Sequence, residues 1–315
     1  MDSKVQDVRL SSPSVNFMAH VCAYPKDPRP SAGGFVQMRA FSKINLILDV
    51  LRKRSDGYHD LRSVMQMLAL HDTVTISISK NNNGFQLICS DPALPTDDRN
   101  LVTKAAKFLI KEYNIVQPIC IQLEKRIPQA AGLAGGSSDC AATLVGINQL
   151  FDLNIPLHTL MEIGQRFGAD VPFCLLGGTA LAEGIGEKLT PLPVHPHCWV
   201  LLACPDIYVS TAAIFNKCKP GVSNNIDDMI TALAKGNLRD IAKNFNNDLA
   251  DVTIKLHPII QKLINEMITQ GAMNAAMSGS GPSVFGYFLD KETAKKTQVK
   301  IENITGRTFL TETIN

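Results

Sequence analysis

A run of small residues between Pro128 and Ser138 carries the clearest chemical signal in this 315-residue chain. It follows a segment of alternating apolar residues and precedes a segment with apolar residues at helical spacing. Small side chains let backbone N–H groups approach an anion closely, and the start of a helix adds a favourable dipole. The run therefore predicts a phosphate-binding loop, with a tight turn and a serine helix cap as the simpler alternative. Its members are Pro128, Gln129, Ala130, Ala131, Gly132, Leu133, Ala134, Gly135, Gly136, Ser137 and Ser138.

The loop does not follow the most familiar nucleotide-binding patterns. No lysine comes after its last glycine, as a Walker loop requires, and it lacks the G-x-G-x-x-G spacing of dinucleotide-binding folds. Neither the H-R-D nor the D-F-G motif of protein kinases occurs in the chain. The sequence therefore indicates another class of nucleotide binder.

Four further residues have chemistry that could serve a phosphoryl-transfer site. Lys43 stands at the start of an apolar strand pattern, Asp170 follows a predicted helix end, and Tyr58-His59 lies in a polar loop. Each has a simpler interpretation: a solvated lysine, a helix N-cap and a loop aromatic that packs on its neighbours. Their order along the chain, rather than any one of them, favours function.

The elements that must position these residues follow from apolar periodicity and from helix caps. Asn100 is expected to cap a helix, and Gly271 to follow the end of another. Strands are predicted near 44–50, 74–78, 119–123, 199–204, Ala275 and Phe285, and helices after Asn100 and over 140–151, 157–167 and 258–270. A hairpin is expected over 177–186, and the proline-rich segment 191–196 is expected to separate two lobes.

Composition excludes several classes of protein. The formal net charge is +2 from 31 basic and 29 acidic side chains, which disfavours nucleic-acid binding by bulk charge. No apolar stretch approaches the roughly 20 residues of a membrane span. The eight cysteines are scattered without a C-x-x-C pair, which predicts neither a zinc site nor a disulfide framework and favours a reducing cytoplasm. Residues 1–37 are predicted to be a disordered N-terminal extension, neither signal nor transit peptide.

The joint order of the motifs resembles the GHMP kinase superfamily, over roughly Met38 to Leu289. The resemblance is closest to the branch that phosphorylates 4-diphosphocytidyl-2-C-methyl-D-erythritol. Two departures stand out: Phe41-Ser42 replaces a usual Pro-Ala pair, and Ala130 and Ala134 replace glycines. A positive φ at either alanine would lower nucleotide affinity, and a negative φ would make the change harmless. The matching segments are Ser42 to Leu46, Arg54 to His59, Pro128 to Ser138, Gly168 to Phe173 and Met277 to Ser283.

The resemblance implies a two-lobed α+β fold, with an ATP-binding lobe over 38–190, a ferredoxin-like lobe over 191–315 and the active site between them. It implies transfer of the ATP γ-phosphoryl group to the 2-hydroxyl of 4-diphosphocytidyl-2-C-methyl-D-erythritol, with Mg²⁺. Asp170 would accept or orient the hydroxyl proton, and Lys43 would stabilise charge. The resemblance also implies ATP binding by the loop, an Mg²⁺ contact at Ser137 and Ser138, and substrate binding by Asn45, Tyr58, His59, Thr211 and Phe215.

Two other functions remain open at this stage. Another GHMP kinase, acting on mevalonate or homoserine, would keep the loop and Asp170 but would not need Tyr58-His59 to hold a base. A nucleotide-binding or RNA-binding module could share the topology of the N-terminal lobe without catalysis, although such a module usually shows a basic patch with interleaved aromatic residues, which this sequence lacks. We expect a cytoplasmic monomer or weak homodimer that binds neither nucleic acid nor membrane.

Overall fold

Two β-sheets with flanking helices make up the computed structural model, which describes residues 34–79, 84–220 and 225–315. The strands are β1 (Phe35–Lys53), β2 (His59–Ile78), β3 (Phe85–Cys89), β4 (Ile119–Glu124), β5 (Thr179–Gly184), β6 (Lys188–Pro191), β7 (Trp199–Ala203), β8 (Asn246–Asn247), β9 (Asn274–Met277), β10 (Val284–Phe288) and β11 (Thr308–Glu312). The helices are α1 (Leu101–Glu112), α2 (Gly135–Leu150), α3 (Leu157–Gln165), α4 (Val171–Leu176), α5 (Thr211–Lys217), α6 (Asn225–Lys235), α7 (Leu238–Lys243), α8 (Ala250–Leu256), α9 (Ile259–Thr269) and α10 (Lys291–Thr305).

The first sheet is built around the long antiparallel pair β1 and β2. Its order is β3-β4-β2-β1-β8, and the β5-β6 hairpin pairs with the first part of β2. Segment 63–68 of β2 is buried at every position because the sheet is covered on both faces there. Helices α1 and α2 pack on the sheet through an apolar cluster that includes Ile76, Ala105 and Leu144.

The second sheet has the order β11-β7-β10-β9, and all its pairings are antiparallel. In chain order the lobe runs β7, α9, β9, β10, α10, β11, with α5 to α8 inserted after β7. This is the β-α-β-β-α-β arrangement of a ferredoxin-like lobe. The expectation of an α+β fold with such a lobe is confirmed.

The second half of the chain also completes the first sheet. β8 pairs in parallel with β1 at Ile47 and Leu48. At the C-terminus, the Ile314 N–H donates to the carbonyl of Met67, in the middle of β2. The two sheets are therefore joined by backbone hydrogen bonds between segments that are distant in sequence.

The predicted N-terminal extension is too long at its C-terminal end. Phe35, Val36 and Gln37 belong to β1 and pair with β2, because Val36 packs against the apolar cluster under the sheet. Residues 1–33 lie outside the described part of the chain. Among the described residues, no helix has both the length and the apolar character needed to cross a membrane.

Candidate functional site

The predicted phosphate-binding loop lies between β4 and α2 and opens into a cleft of about 580 Å³. Ala134 directly precedes α2 and supplies no side-chain cap, and Gly135, Gly136 and Ser137 line the cleft. The N–H groups in the first turn of an α-helix have no partners within the helix. These groups and the helix dipole make the start of α2 suitable for phosphate. The serine-cap alternative is wrong, because Ser137 and Ser138 lie within the first turn.

Three alternate residues of the loop have left-handed backbone conformations. The φ angles are 49° at Ala130, 75° at Gly132 and 59° at Ala134. An L-residue in this region costs about 1–2 kcal/mol, a cost that glycine does not carry. The two alanines that replace glycines therefore stand at positions where glycine is favoured. Of the two cases set out from the sequence, this is the one in which the replacement lowers nucleotide affinity.

A contact between the two lobes holds the loop in place. A Cβ atom added to Gly132 would lie 2.3 Å from the carbonyl oxygen of Ser278, so only glycine fits there. The Ser278 hydroxyl donates to the carbonyl of Gly132 at 3.0 Å, and the Asn45 N–H donates to that hydroxyl at 3.3 Å. Ser278, directly after β9, thus braces the phosphate loop from the opposite lobe.

Lys43 and Asp170, the predicted catalytic pair, are brought together at the cleft. The Lys43 Nζ lies 3.7 Å from the Asp170 carboxylate and donates to Asn45 Oδ1 at 2.7 Å. Asn45 in turn donates to the Ser63 hydroxyl at 2.8 Å. The β1-β2 register shifts on both sides of this segment, after Phe41 and after Asn45. Such irregularities redirect side chains and are common beside functional sites.

Asp170 does not cap the short helix that follows it. Its backbone is helical, with φ −81° and ψ −13°, and its side chain accepts no capping hydrogen bond. The N-cap interpretation is therefore wrong. One third of the Asp170 side chain is exposed, whereas that of Lys43 is only 5% exposed. A buried ammonium next to a partly exposed carboxylate leaves the carboxylate available to an acceptor hydroxyl.

Three of the five predicted substrate-binding residues lie along the wall of the cleft. Asn45, Thr211 and Phe215 line it, and the ring of His59 packs on that of Phe215 with a centroid distance of 5.3 Å. Burial and the nearby Lys53 charge lower the pKa of His59, so its ring is neutral at pH 7. Phe215 is half-buried: it packs against an apolar core cluster and also lines the cleft.

Tyr58 precedes His59 and is 61% exposed, outside the residues that line the cleft. The fold gives this ring no apolar environment of its own. Stacking against a planar ligand that extends beyond the cleft is compatible with this position. The base-binding role of Tyr58 stays a prediction.

A buried ionic cluster behind the loop was missed by sequence reasoning. The Lys125 Nζ donates to Asp139 Oδ2 at 2.6 Å and also bonds Asp72, whose other oxygen accepts the Ile127 N–H at 2.8 Å. Burial raises the pKa of Asp139 to about 8, although Lys125 opposes this shift. The available signal was that Asp139 is the only charged residue of α2.

One wall of the cleft also went unnoticed. It is formed by the turn before α1, where Leu94, Pro95 and Arg99 line the cleft next to the helix cap Asn100. The Asn100 side chain accepts the Val102 N–H at 2.9 Å, as the predicted cap requires, and donates to the Pro95 carbonyl at 2.8 Å. Apolar side chains and polar groups therefore lie together beside the phosphate loop, a mixture that is common in small-molecule sites.

The oxygen atoms near the loop fit a magnesium ion bound mainly through phosphates. Ser138 Oγ and Asp139 Oδ1 are buried without a hydrogen-bond partner in the described residues, and Ser137 lines the cleft. No group of three or more histidine, cysteine or acidic side chains in the described ranges could hold a metal ion alone. Mg²⁺ in such sites commonly takes one or two protein oxygens together with substrate phosphates and water.

Comparisons with known proteins agree with this geometry. Residues 100–178 match the family model described as GHMP kinases N terminal domain, and residues 229–306 match GHMP kinases C terminal. A 4-diphosphocytidyl-2-C-methyl-D-erythritol kinase of Lachnoclostridium phytofermentans is 44% identical over 88% of this chain and 96% of its own. The enzyme of that name from Caldicellulosiruptor bescii is 43% identical over 88% of this chain and 98% of its own.

Solved structures give the same result at the level of the fold. A crystal structure of 4-(cytidine 5'-diphospho)-2C-methyl-D-erythritol kinase has 28% identity and a TM-score of 0.76, covering 89% of this chain and 100% of that one. Homoserine kinase from Cytophaga hutchinsonii has 19% identity and a TM-score of 0.71, covering 90% and 96%. The homoserine kinase shares the fold alone. With relatives above 40% identity over most of its length, the chain belongs to the 4-diphosphocytidyl-2-C-methyl-D-erythritol kinase family of the GHMP kinases.

Proposed function

We propose that this chain transfers the γ-phosphoryl group of ATP to the 2-hydroxyl of 4-diphosphocytidyl-2-C-methyl-D-erythritol. The observation that carries the proposal is the Lys43–Asp170 pair, 3.7 Å apart and facing the same cleft as the uncapped start of α2. Phosphoryl transfer depends mainly on alignment and on charge stabilisation. The cleft supplies both, because it brings a carboxylate, an ammonium and an anion-binding helix terminus together.

Each group has a distinct proposed role. The loop Pro128 to Ser138 holds the ATP phosphates through backbone N–H groups, and Asp170 accepts or orients the proton of the acceptor hydroxyl. Lys43 stabilises negative charge as it moves between the phosphoryl oxygens. Its position is fixed by Asn45, which also lines the substrate end of the cleft.

The substrate is proposed to extend from Asp170 towards the aromatic cluster. Thr211 and Phe215 line this part of the cleft, and the Thr211 hydroxyl hydrogen-bonds Ser280 at 2.8 Å. A neutral His59 ring and an exposed Tyr58 ring offer a flat face and polar edges to a cytosine. A mevalonate or homoserine kinase would have no use for these groups.

Magnesium belongs to the proposal as the partner of ATP. Ser137 and Ser138 would hold it. The ion would then be a partner for the buried Ser138 Oγ, which has no hydrogen-bond partner among the described residues. A bound Mg²⁺ would neutralise phosphate charge. The loop, Lys43 and Asp170 position the reacting groups around it.

We also propose that the lobes divide near residue 190. β6 ends at Pro191 in the first sheet and β7 begins the second at Trp199, which supports a boundary between them. The seven described cysteines are all free, which supports a reducing cytoplasm as the location. A monomer or weak homodimer without nucleic-acid partners remains our expectation.

The proposal is tested by phosphorylation assays with purified protein, ATP and Mg²⁺. The acceptors are 4-diphosphocytidyl-2-C-methyl-D-erythritol, mevalonate and homoserine, and ADP release is measured together with the phosphorylated product. We expect turnover of the cytidylated acceptor only. Turnover of mevalonate or homoserine at a comparable kcat/KM would contradict the assignment.

Asp170→Asn separates chemistry from nucleotide binding. The amide cannot accept the hydroxyl proton, so we expect kcat to fall by about 10²- to 10⁴-fold, while ATP affinity and the unfolding midpoint change little. Lys43→Met should also lower kcat. Near-normal kcat in Asp170→Asn, with native ATP affinity, would remove Asp170 from the chemistry.

Tyr58→Ala tests the base-binding end of the cleft. Stacking on a base is worth roughly 1–3 kcal/mol, so KM for the cytidylated acceptor should rise about 5- to 150-fold while KM for ATP stays the same. Tyr58→Phe is the matched control because it keeps the ring face. A larger effect on ATP than on the acceptor would show that the two ends of the cleft are assigned the wrong way round.

A further inference from the structure

A second cavity of about 650 Å³ lies outside the catalytic cleft and shares no lining residue with it. It opens where β2 and β11 separate. β2 meets the segment just after β11 at an isolated bridge between Leu68 and Thr313, and the Leu70 N–H donates to Thr311 Oγ1 at 2.8 Å. Further along the chain, β2 pairs with β4 and no longer with the C-terminal segment. A wedge-shaped space therefore remains between β2 and β11, and α10 lines one side of this wedge.

The walls of this wedge carry an excess of positive charge. Arg126, Lys291 and Lys295 line it, and the single acidic lining residue, Glu312, accepts a hydrogen bond from His197 at 2.8 Å. Within the described ranges, no carboxylate pairs with the side chain of Arg126 or Lys295. Lys291 and Lys295 lie one turn apart on α10, Arg126 follows β4, and all three line the same cavity.

The position of Lys291 adds a second indication. It is the first residue of α10, where the helix dipole favours an acidic rather than a basic side chain. Its ammonium lies 4.4 Å from the ring centroid of Trp199, which also lines the cavity. The Lys291 ammonium therefore lies over an aromatic ring of the cavity wall. The apolar side chains of Leu70, Phe309 and Leu310 line the same cavity.

We propose that this cavity binds a small organic phosphate. Its phosphate group would lie among Arg126, Lys291 and Lys295, and its apolar part would lie against Leu70, Phe309 and the Trp199 ring. Lysine and arginine bind phosphate through charge-assisted hydrogen bonds. The volume falls within the range of small-molecule sites, which combine apolar walls with a few polar groups.

Trp199 allows the site to be observed directly, because it is the only tryptophan in the chain. The full-length protein is titrated with n-hexyl phosphate, inorganic pyrophosphate and n-hexanol while tryptophan emission is followed. We expect saturable quenching or a spectral shift with n-hexyl phosphate, weaker binding of pyrophosphate and none of n-hexanol. Binding should weaken as salt concentration rises, because exposed charges are screened.

Two variants locate the binding. Lys295→Gln removes one of the three cations, and Gln298→Glu places a negative charge on the same face of α10; each should weaken n-hexyl phosphate binding about fivefold or more. Lys296→Gln is the matched control, since Lys296 pairs with Glu292 at 2.8 Å and does not line the cavity. Loss of affinity in all three variants alike, or in none, would overturn the proposal. So would equal affinity for pyrophosphate and n-hexyl phosphate, because the apolar wall would then contribute nothing.

Discussion

Ser42 has a hydroxyl for which the fold provides no partner. The residue is fully buried, its Oγ makes no hydrogen bond within the described residues, and it stands where the resemblance expects alanine. A buried polar group without a hydrogen bond costs about 1–3 kcal/mol. We expect Ser42→Ala to raise the free energy of unfolding by about 1 kcal/mol in urea titrations.

The Ser138 hydroxyl is also buried and has no hydrogen-bond partner among the described residues, but it lies at the phosphate loop. Ser138→Ala is therefore the informative comparison. It should weaken Mg²⁺-dependent ATP binding in calorimetry, whereas Ser42→Ala should act on stability. Destabilisation by Ser42→Ala would show instead that the hydroxyl makes a stabilising hydrogen bond in the native protein.

At the scale of elements, the phosphate loop and the segment after β9 form one unit. Gly132→Ala combines a positive φ with a Cβ 2.3 Å from the Ser278 oxygen. We expect it to lower the free energy of unfolding by about 2–5 kcal/mol, from backbone strain and overpacking together.

Gly136→Ala serves as the control in the same loop. A Cβ there would meet only Leu101 Cδ1 at 3.9 Å, and alanine favours the helical conformation of this residue. Its unfolding midpoint in urea should be equal or higher. Similar destabilisation by both substitutions would mean that the contact between the lobes is not what restricts Gly132.

Elements with clear periodicity were predictable from sequence, and those whose pattern depends on the fold were not. The Asn100 cap, the helix before Gly271 and the strand near Phe285 follow from local signals and are confirmed. The continuity of β2 was missed, because segment 63–68 is buried on both faces and shows no alternation. The β8 pairing rests on two residues, too few for any periodic signal.

The residues of the candidate site were likewise predictable only where they belong to sequence motifs. Lys43 and Asp170 were found through motifs, whereas the Asp72–Lys125–Asp139 cluster joins three residues from three elements. Asp72 and Lys125 carry no local pattern that distinguishes them from solvated charges, and the one signal at Asp139, its position as the only charged residue of α2, does not name its partners. Only the folded arrangement, which buries all three side chains, shows that they act together.

At the scale of the whole molecule, His195 in the segment between the lobes makes the free energy of unfolding depend on pH in the acid range. Burial lowers the pKa of His195 from 6.5 to about 4, and its ring bonds the Tyr287 hydroxyl and the Pro196 carbonyl. Between these pH values the unfolded chain binds a proton that the native protein does not. Stability therefore falls as pH decreases from 6.5 to 4, by up to about 3 kcal/mol from this group.

Urea unfolding at pH 7 and pH 4.5 measures this contribution. His195→Gln should reduce the difference between the two free energies of unfolding, whatever its effect at pH 7. His197→Gln is the control, since His197 is more than half exposed. An unchanged difference in His195→Gln would assign the acid response to other groups.

The backbone hydrogen bond between Ile314 and Met67 joins two segments that the ribosome synthesises at very different times. Roughly 250 residues separate Met67 from Ile314, and at translation rates of about 5–20 residues per second they take about 12–50 seconds to emerge. Throughout that time the centre of β2 lacks this partner, and β1 lacks β8 until residue 247 has emerged. An unpaired strand edge is a site for association with other chains. We therefore expect the nascent chain to be prone to association with other chains until residue 314 has emerged.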